Sequence, residues 1–89
     1  MFTGIIEATG TIEDLKEEGT NIHFTIASAL SSLLKVDQSV SHDGVCLTVV
    51  KVNEFSHVVT AVEETLKRSN LKKKKKGDRI ILFIIISIY

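Results

Sequence analysis

From Ile6 to Ile12 every second residue is apolar or glycine, and Glu7, Thr9 and Thr11 fall between them. A period of two marks a strand buried on one face. Residues 5–14 therefore read as a strand with Ile6, Ala8, Gly10 and Ile12 inward and Glu7, Thr9, Thr11 and Glu13 outward. The period returns at Ile22, Phe24 and Ile26, with His23 and Thr25 between them. The chain has no proline, so Gly, Asn, Asp and Ser must end its elements. Glu17-Glu18-Gly19-Thr20-Asn21 separates the first two strands. Gly4 and Gly10 suggest a bulge or a close approach of backbone.

Ser28 to Leu34 breaks the period, and Ser28 is placed to cap a short helix through Ala29, Leu30, Leu33 and Leu34. Residues 38–42 read as a short strand. Asp43-Gly44 is a strong turn signal. Val45 to Val52 is almost continuously apolar and β-branched, which predicts a strand covered on both faces. Asn53 to Ser56 is a hairpin loop, and His57 to Val62 its partner strand. Glu63 to Asn70 is a candidate short helix or turn, Lys72 to Lys76 a polar connection, and Gly77-Asp78 a turn into the apolar run from Arg79 to Tyr89. Six short strands between turn signals predict a small closed barrel, which leaves no exposed sheet edge.

The 89 residues make one domain with a thin core. With 44% hydrophobic and 25% charged residues, the chain has the composition of a globular domain and not of a disordered one. Its single cysteine, Cys46, excludes an internal disulfide and a cysteine-rich zinc site, and fits a reducing, cytoplasmic compartment. The amino end lacks the pattern of a signal peptide, and no segment reaches the roughly 20 apolar residues of a membrane helix. Zero net charge hides an asymmetry: residues 1–66 carry −7 and residues 67–79 carry +7. An acidic body argues against nucleic acid as a partner. The five lysines 72–76 read as a solvated, mobile connection, and nucleic-acid contact as the lesser alternative. His23, His42 and His57 show no metal-ligand spacing, and no metal is expected.

Three stretches stand together in order: Met1-Phe2-Thr3-Gly4-Ile5-Ile6-Glu7; Ser39-Val40-Ser41-His42-Asp43-Gly44-Val45-Cys46-Leu47-Thr48-Val49; and Glu64-Thr65-Leu66 followed by Asn70-Leu71 and Gly77-Asp78. Over about residues 1–82 the chain resembles the amino-terminal lumazine-binding domain of riboflavin synthase, alpha chain; the lumazine proteins of luminous bacteria share the signal. The resemblance implies an all-β, six-stranded antiparallel Greek-key barrel with one or two short helices. It implies that two such barrels in tandem, in a trimer of chains, pair two molecules of 6,7-dimethyl-8-ribityllumazine. One gives a four-carbon unit to the other, yielding riboflavin and a pyrimidinedione. No metal or separate cofactor is implied.

Carried residue by residue, the resemblance assigns ring contacts to Gly4, Ile5 and Ile6 and to Cys46, Leu47 and Thr48. It assigns the other wall to Thr60, Ala61, Val62, Glu63, Glu64 and Thr65, with Glu64 and Thr65 on the ribityl hydroxyls. Phe2, Ser39 and Cys46 are the candidates nearest the reacting atoms. Each has a structural alternative: Gly4 as a bulge glycine, Phe2 as a plug of the barrel end, Ser39 as an ordinary strand serine, Cys46 as a small buried hydrophobe, and Glu63-Glu64 as the acidic first turn of a helix. His42 is read as structural. These 89 residues hold one copy of the barrel pattern. They are expected to bind lumazine or riboflavin, to supply half of a shared active site, and to assemble as a homo-oligomer, a trimer at full length or a dimer of single barrels. A non-catalytic flavin-binding module is the alternative. Residues 83–89 depart from the family: Phe83 to Tyr89 is not expected to alternate properly inside and outside, and is expected to expose apolar surface.

Overall fold

A computed structural model describes residues 2–88, with side chains described from Gly4 to Ile85. The strands are β1 (Phe2–Glu18), β2 (Asn21–Ala27), β3 (Ser39–His42), β4 (Val45–Val52), β5 (Ser56–Ala61) and β6 (Arg79–Ile88). One α-helix, α1 (Glu63–Arg68), follows β5, and single 3-10 turns occupy Ser31–Leu33 and Leu71–Lys73. All pairings are antiparallel, and the strands close into a barrel in the order β1-β2-β5-β4-β3-β6.

Alternation places the core. Ile12, Ile22, Phe24, Ile26, Val40, Leu47, Val49, Val59, Ala61, Ile80, Leu82 and Ile84 point inward and are buried. Leu34, Leu66 and Leu71, from the connections, are buried with them. β1 is much longer than its alternating run. Phe2 to Thr11 pair with β6, and Thr11 to Glu18 pair with β2 across an irregularity at Glu13. Gly10 sits where the strand passes from one partner to the other. A Cβ there would stand 2.6 Å from Ile26 Cγ2 and 3.2 Å from the Ala27 carbonyl oxygen, so close approach explains this glycine.

Three expectations are corrected. Val45–Val52 is not covered on both faces: Leu47 and Val49 are buried, while Cys46, Thr48 and Val50 are exposed. A barrel wall has one interior face, so the apolar run leaves its second set of side chains outside. The helix from Ser28 to Leu34 shortens to one 3-10 turn. Ser28 Oγ accepts the Leu30 N–H at 3.2 Å, but Leu33 points outward and is 57% exposed. In the final run the described side chains do alternate, with Ile84 buried and Phe83 and Ile85 exposed, so the expected apolar surface is present there but as the outer face of a strand, β6, that continues to Ile88.

The barrel's thinnest seam lies between β3 and β6, where only Ser41↔Phe83 and His42↔Leu82 pair. Asp43 strengthens it. Its backbone N–H donates to the Ile81 carbonyl at 2.8 Å, and its carboxylate accepts the Ile81 N–H at 2.7 Å and the Lys74 ammonium at 2.8 Å. Partial burial alone would raise this carboxyl's pKa. The Ile81 N–H and Lys74 outweigh that and hold it below the ordinary value. Asp43 (φ 51°) and Gly44 (φ 87°) are both left-handed, as a two-residue hairpin turn requires.

Behind the seam lies a buried polar chain. His42 Nδ1 lies 2.9 Å from the Val40 carbonyl, His42 Nε2 lies 3.0 Å from His57 Nε2, and His57 Nδ1 lies 2.7 Å from Ser31 Oγ. A carbonyl only accepts, so His42 Nδ1 carries the hydrogen. In the neutral pair, His57 Nε2–H then donates to His42 Nε2, and the Ser31 hydroxyl donates to His57 Nδ1. Every polar atom is satisfied without a charge. Burial, followed by the neighbouring His42, pushes His57 down to about 4. Burial also lowers His42, against the raising effects of the Val40 carbonyl and Asp43.

Two measurements test this account. A histidine in the unfolded chain takes up a proton near pH 6.5, and the folded pair resists it. Stability is therefore full above about pH 6.5 and falls as pH drops toward 4, by on the order of 3 kcal/mol. Urea unfolding between about pH 7.5 and 4.5 should show this slope, flattened in His42→Asn/His57→Gln; equal slopes would remove the pair as its source. Gly10→Ala should destabilise by about 1–3 kcal/mol through overpacking against Ile26, and an unchanged urea midpoint would show that the wall yields freely.

Candidate functional site

The outward side chains of β3, β4 and β5 form a floor. Register aligns Ser41 with Cys46, Ser39 with Thr48, and Thr48 with Thr60. Extending the β4–β5 register by two residues brings Val62 opposite Cys46. Ser39, Cys46, Thr48 and Val62 are exposed, and Ser41 and Thr60 are half-buried. Adjacent strands stand about 4.8 Å apart, so three strands span the width of a fused ring system. No side chain in this patch is larger than valine. The patch is therefore flat, and hydroxyl and thiol groups are spread across it. Phe83, paired with Ser41, borders it on β6, and His23, paired with Thr60, borders it on β2.

Of the residues assigned from sequence, Ser39, Cys46, Thr48, Thr60 and Val62 come together on this face. Leu47 and Ala61 turn into the core, so only their backbones reach the outside. Cys46 is exposed, which corrects its reading as a small buried hydrophobe. The parity of a strand paired on both sides leaves it no other direction. Glu63 and Glu64 open α1 and pair with Lys67 at 2.9 Å and Arg68 at 3.0 Å. Both are the i,i+4 pairs of an exposed helix. The Thr65 carbonyl accepts the Ser69 hydroxyl at 2.7 Å. An open cavity of about 460 Å³ lined by Thr20, Asn21, Val62, Glu63, Glu64 and Lys67 adjoins the floor at Val62.

Gly4, Ile5 and Ile6 lie elsewhere. The cross-strand row through Cys46 runs Cys46–Ser41–Phe83–Glu7, so Gly4 is three strands around the wall and three residues farther along β1. That separation is on the order of 15 Å. The Gly4–Ile6 segment and the floor therefore lie on different regions of the wall. Ile5, 69% exposed, faces outward beside Ile85, while Gly4 and Ile6 are half-buried. The side chain of Phe2 lies outside the described residues; its backbone pairs with Ile88.

Two members of the face were missed. Ser41 shares its parity with Ser39, so alternation alone could have included it. His23 enters through pairing: its Nδ1 is 2.7 Å from Thr60 Oγ1, and its Nε2 is 3.3 Å from Glu18 Oε1. Strand register, which is not local in sequence, brings them together. Among the described residues, no group of three or more His, Cys, Asp or Glu side chains is placed to hold a metal ion, and no helix is long and apolar enough to cross a membrane.

A small, closed, antiparallel barrel with a flat outer slot defines a class of ligand-binding domain. The chain belongs to the lumazine-binding domain family, whose model matches residues 3–82. It is 37% identical over 83 residues to the riboflavin synthase of Bacillus amyloliquefaciens, covering 92% of this chain and 39% of that protein. It is 38% identical over 90 residues to the riboflavin synthase of Saccharomyces cerevisiae, covering 92% of this chain and 38% of that one. The riboflavin synthase of Photobacterium phosphoreum is 36% identical over 84 residues. The chain thus spans about two-fifths of the length of these relatives.

The outward orientation of β4 is directly measurable. Cys46 should react with a thiol reagent in the folded protein to one equivalent without denaturant. Labelling that proceeds only on unfolding would place the thiol inside and overturn the register of β4.

Proposed function

We propose that this barrel binds 6,7-dimethyl-8-ribityllumazine, or the riboflavin formed from it, on the outer face of β3, β4 and β5. We propose further that it supplies half of an active site in which two lumazines yield riboflavin and a pyrimidinedione. The observation that carries the reading is the flat floor of Ser39, Ser41, Cys46, Thr48, Thr60 and Val62 in a chain of the lumazine-binding family. A planar bicyclic ring with carbonyl and imide groups on its edge needs such a surface: small side chains below it and hydroxyls around it.

The chemistry asks little more of one barrel. A proton leaves a methyl group of one lumazine, and the resulting carbanion adds to the other. Holding two rings face to face replaces an encounter in solution and supplies much of the acceleration. In this reading Thr48 and Thr60 fix the ring edge, and the backbone of Cys46, Leu47 and Ala61 lines the slot. Glu64 and Thr65 receive the ribityl hydroxyls beside the cavity at Val62. Ser39 orients the attacking group or a water, and Phe2 closes over the paired rings. Gly4 to Ile6 contact a second ring, held by another barrel. Active assembly is therefore oligomeric, in the cytoplasm, with the second barrel coming from a tandem copy or another chain. A barrel that binds lumazine or riboflavin without converting it is the second reading, favoured by the distance between the Gly4–Ile6 segment and the floor.

Titration of lumazine fluorescence tests the binding. The wild-type chain should bind, and Thr48→Leu, which fills the floor and removes a hydroxyl, should weaken binding about tenfold or more. Lumazine fluorescence unchanged by the wild-type chain would sink both readings. Riboflavin formation by the 89-residue chain alone would favour catalysis by paired copies of this barrel.

A further inference from the structure

We infer that His23 is a positioning residue of the slot, one that sets the Thr60 hydroxyl as a hydrogen-bond acceptor toward the ligand. The inference rests on the reading of this face as the ligand slot.

The polarity follows from donors and acceptors. The Glu18 carboxylate only accepts, so His23 Nε2, 3.3 Å away, carries the hydrogen. In the neutral ring Nδ1 is then a bare lone pair. It stands 2.7 Å from Thr60 Oγ1, where only the hydroxyl can donate. A threonine hydroxyl has one proton, and here it is committed to His23. With its proton so engaged, Thr60 Oγ1 has only its lone pairs to offer a ligand on the face it shares with Thr48, its partner across the β4–β5 ladder. An unrestrained hydroxyl would rotate to suit either a carbonyl or an N–H. This one selects an N–H or O–H, such as the imide N–H of a flavin-precursor ring or a ribityl hydroxyl.

The contact adds little to the fold. The Glu18 side chain is 72% exposed and that of His23 is 27% exposed, so their attraction is largely screened. Thr60 points away from the core, with buried Val59 and Ala61 on either side of it in sequence. What the chain of contacts fixes is the direction of one hydroxyl on the face where Ser39, Cys46 and Thr48 also lie.

The experiment measures lumazine affinity by fluorescence, and the thermal midpoint, for five proteins: wild type, His23→Phe, His23→Asn, Thr60→Val and His23→Phe/Thr60→Val. His23→Phe and Thr60→Val should each weaken binding about tenfold. The double variant should be no weaker than the worse single variant, because both remove one interaction. In His23→Asn the amide oxygen can take the Thr60 proton, and affinity should recover to within about threefold of wild type. Wild-type binding together with undiminished binding by His23→Phe overturns the role of His23 and leaves the slot standing. Additive losses in the double variant, or no rescue by Asn, overturn the coupling to Thr60. Thermal midpoints that fall in step with affinity reduce His23 to a structural residue and overturn the inference. Absence of lumazine binding by the wild type removes the slot itself, and His23 with it.

Discussion

The structure depends on the closure of β3 against β6. Two residue pairs make the seam, Ser41↔Phe83 and His42↔Leu82, against the long ladders of β1 with β6 and with β2. Side chains supply what the backbone ladder lacks. Asp43 binds the Ile81 N–H and Lys74 from outside, and His42 joins His57 and Ser31 from inside. Closure also fixes parity. A slip of one residue at β3 would turn Ser39 and Ser41 inward, expose Val40 and His42, and break the His42–His57 contact. The buried histidine chain thus helps specify which residues of β3 and β4 face outward.

Parity was legible wherever polar and apolar residues alternate. The inner and outer faces of β1 and β2 follow from Ile6 to Ile12 and Ile22 to Ile26, and the Asp43-Gly44 turn from its two residues. It failed at Val45–Val52, where Val45, Val49, Val50 and Val52 gave the strand an unbroken apolar look. A barrel wall has one interior, so half of that run had to face outward, and that half includes Cys46 and Thr48. The helix expected from Ser28 failed for a different reason. A helix of one turn must repay a costly nucleus, and Leu33 finds nothing to bury against. The His42–His57 contact was hidden because it depends on register between strands 15 residues apart.

Charge segregation in sequence becomes local pairing in space. The basic stretch that follows the acidic body pairs with it locally along α1, through Lys67–Glu63 and Arg68–Glu64, and at long range through Lys74–Asp43. Only the last braces the barrel, at the seam. The helix pairs are exposed and each is worth a few tenths of a kcal/mol. Pairs this weak leave Glu63 and Glu64 open to exchange partners with a ligand hydroxyl. Hydroxyls, the backbone and one imidazole are what this face offers, a set suited to holding a ring edge.

The separation of Gly4–Ile6 from the β3–β5 floor bears on what one barrel can do. The family resemblance assigns ring contacts to both, and the geometry gives them to different regions of the wall. If both assignments hold, each barrel touches two rings: one lies flat on its own floor, and another is reached by the β1–β6 ribbon. Face-to-face pairing of two lumazines needs two floors, and a single barrel has one. Ile5, Ile81, Phe83 and Ile85 line the outer surface of that ribbon and are 40–69% exposed. The ribbon therefore presents an apolar stripe on a part of the wall separate from the hydroxyl-bearing floor of β3, β4 and β5.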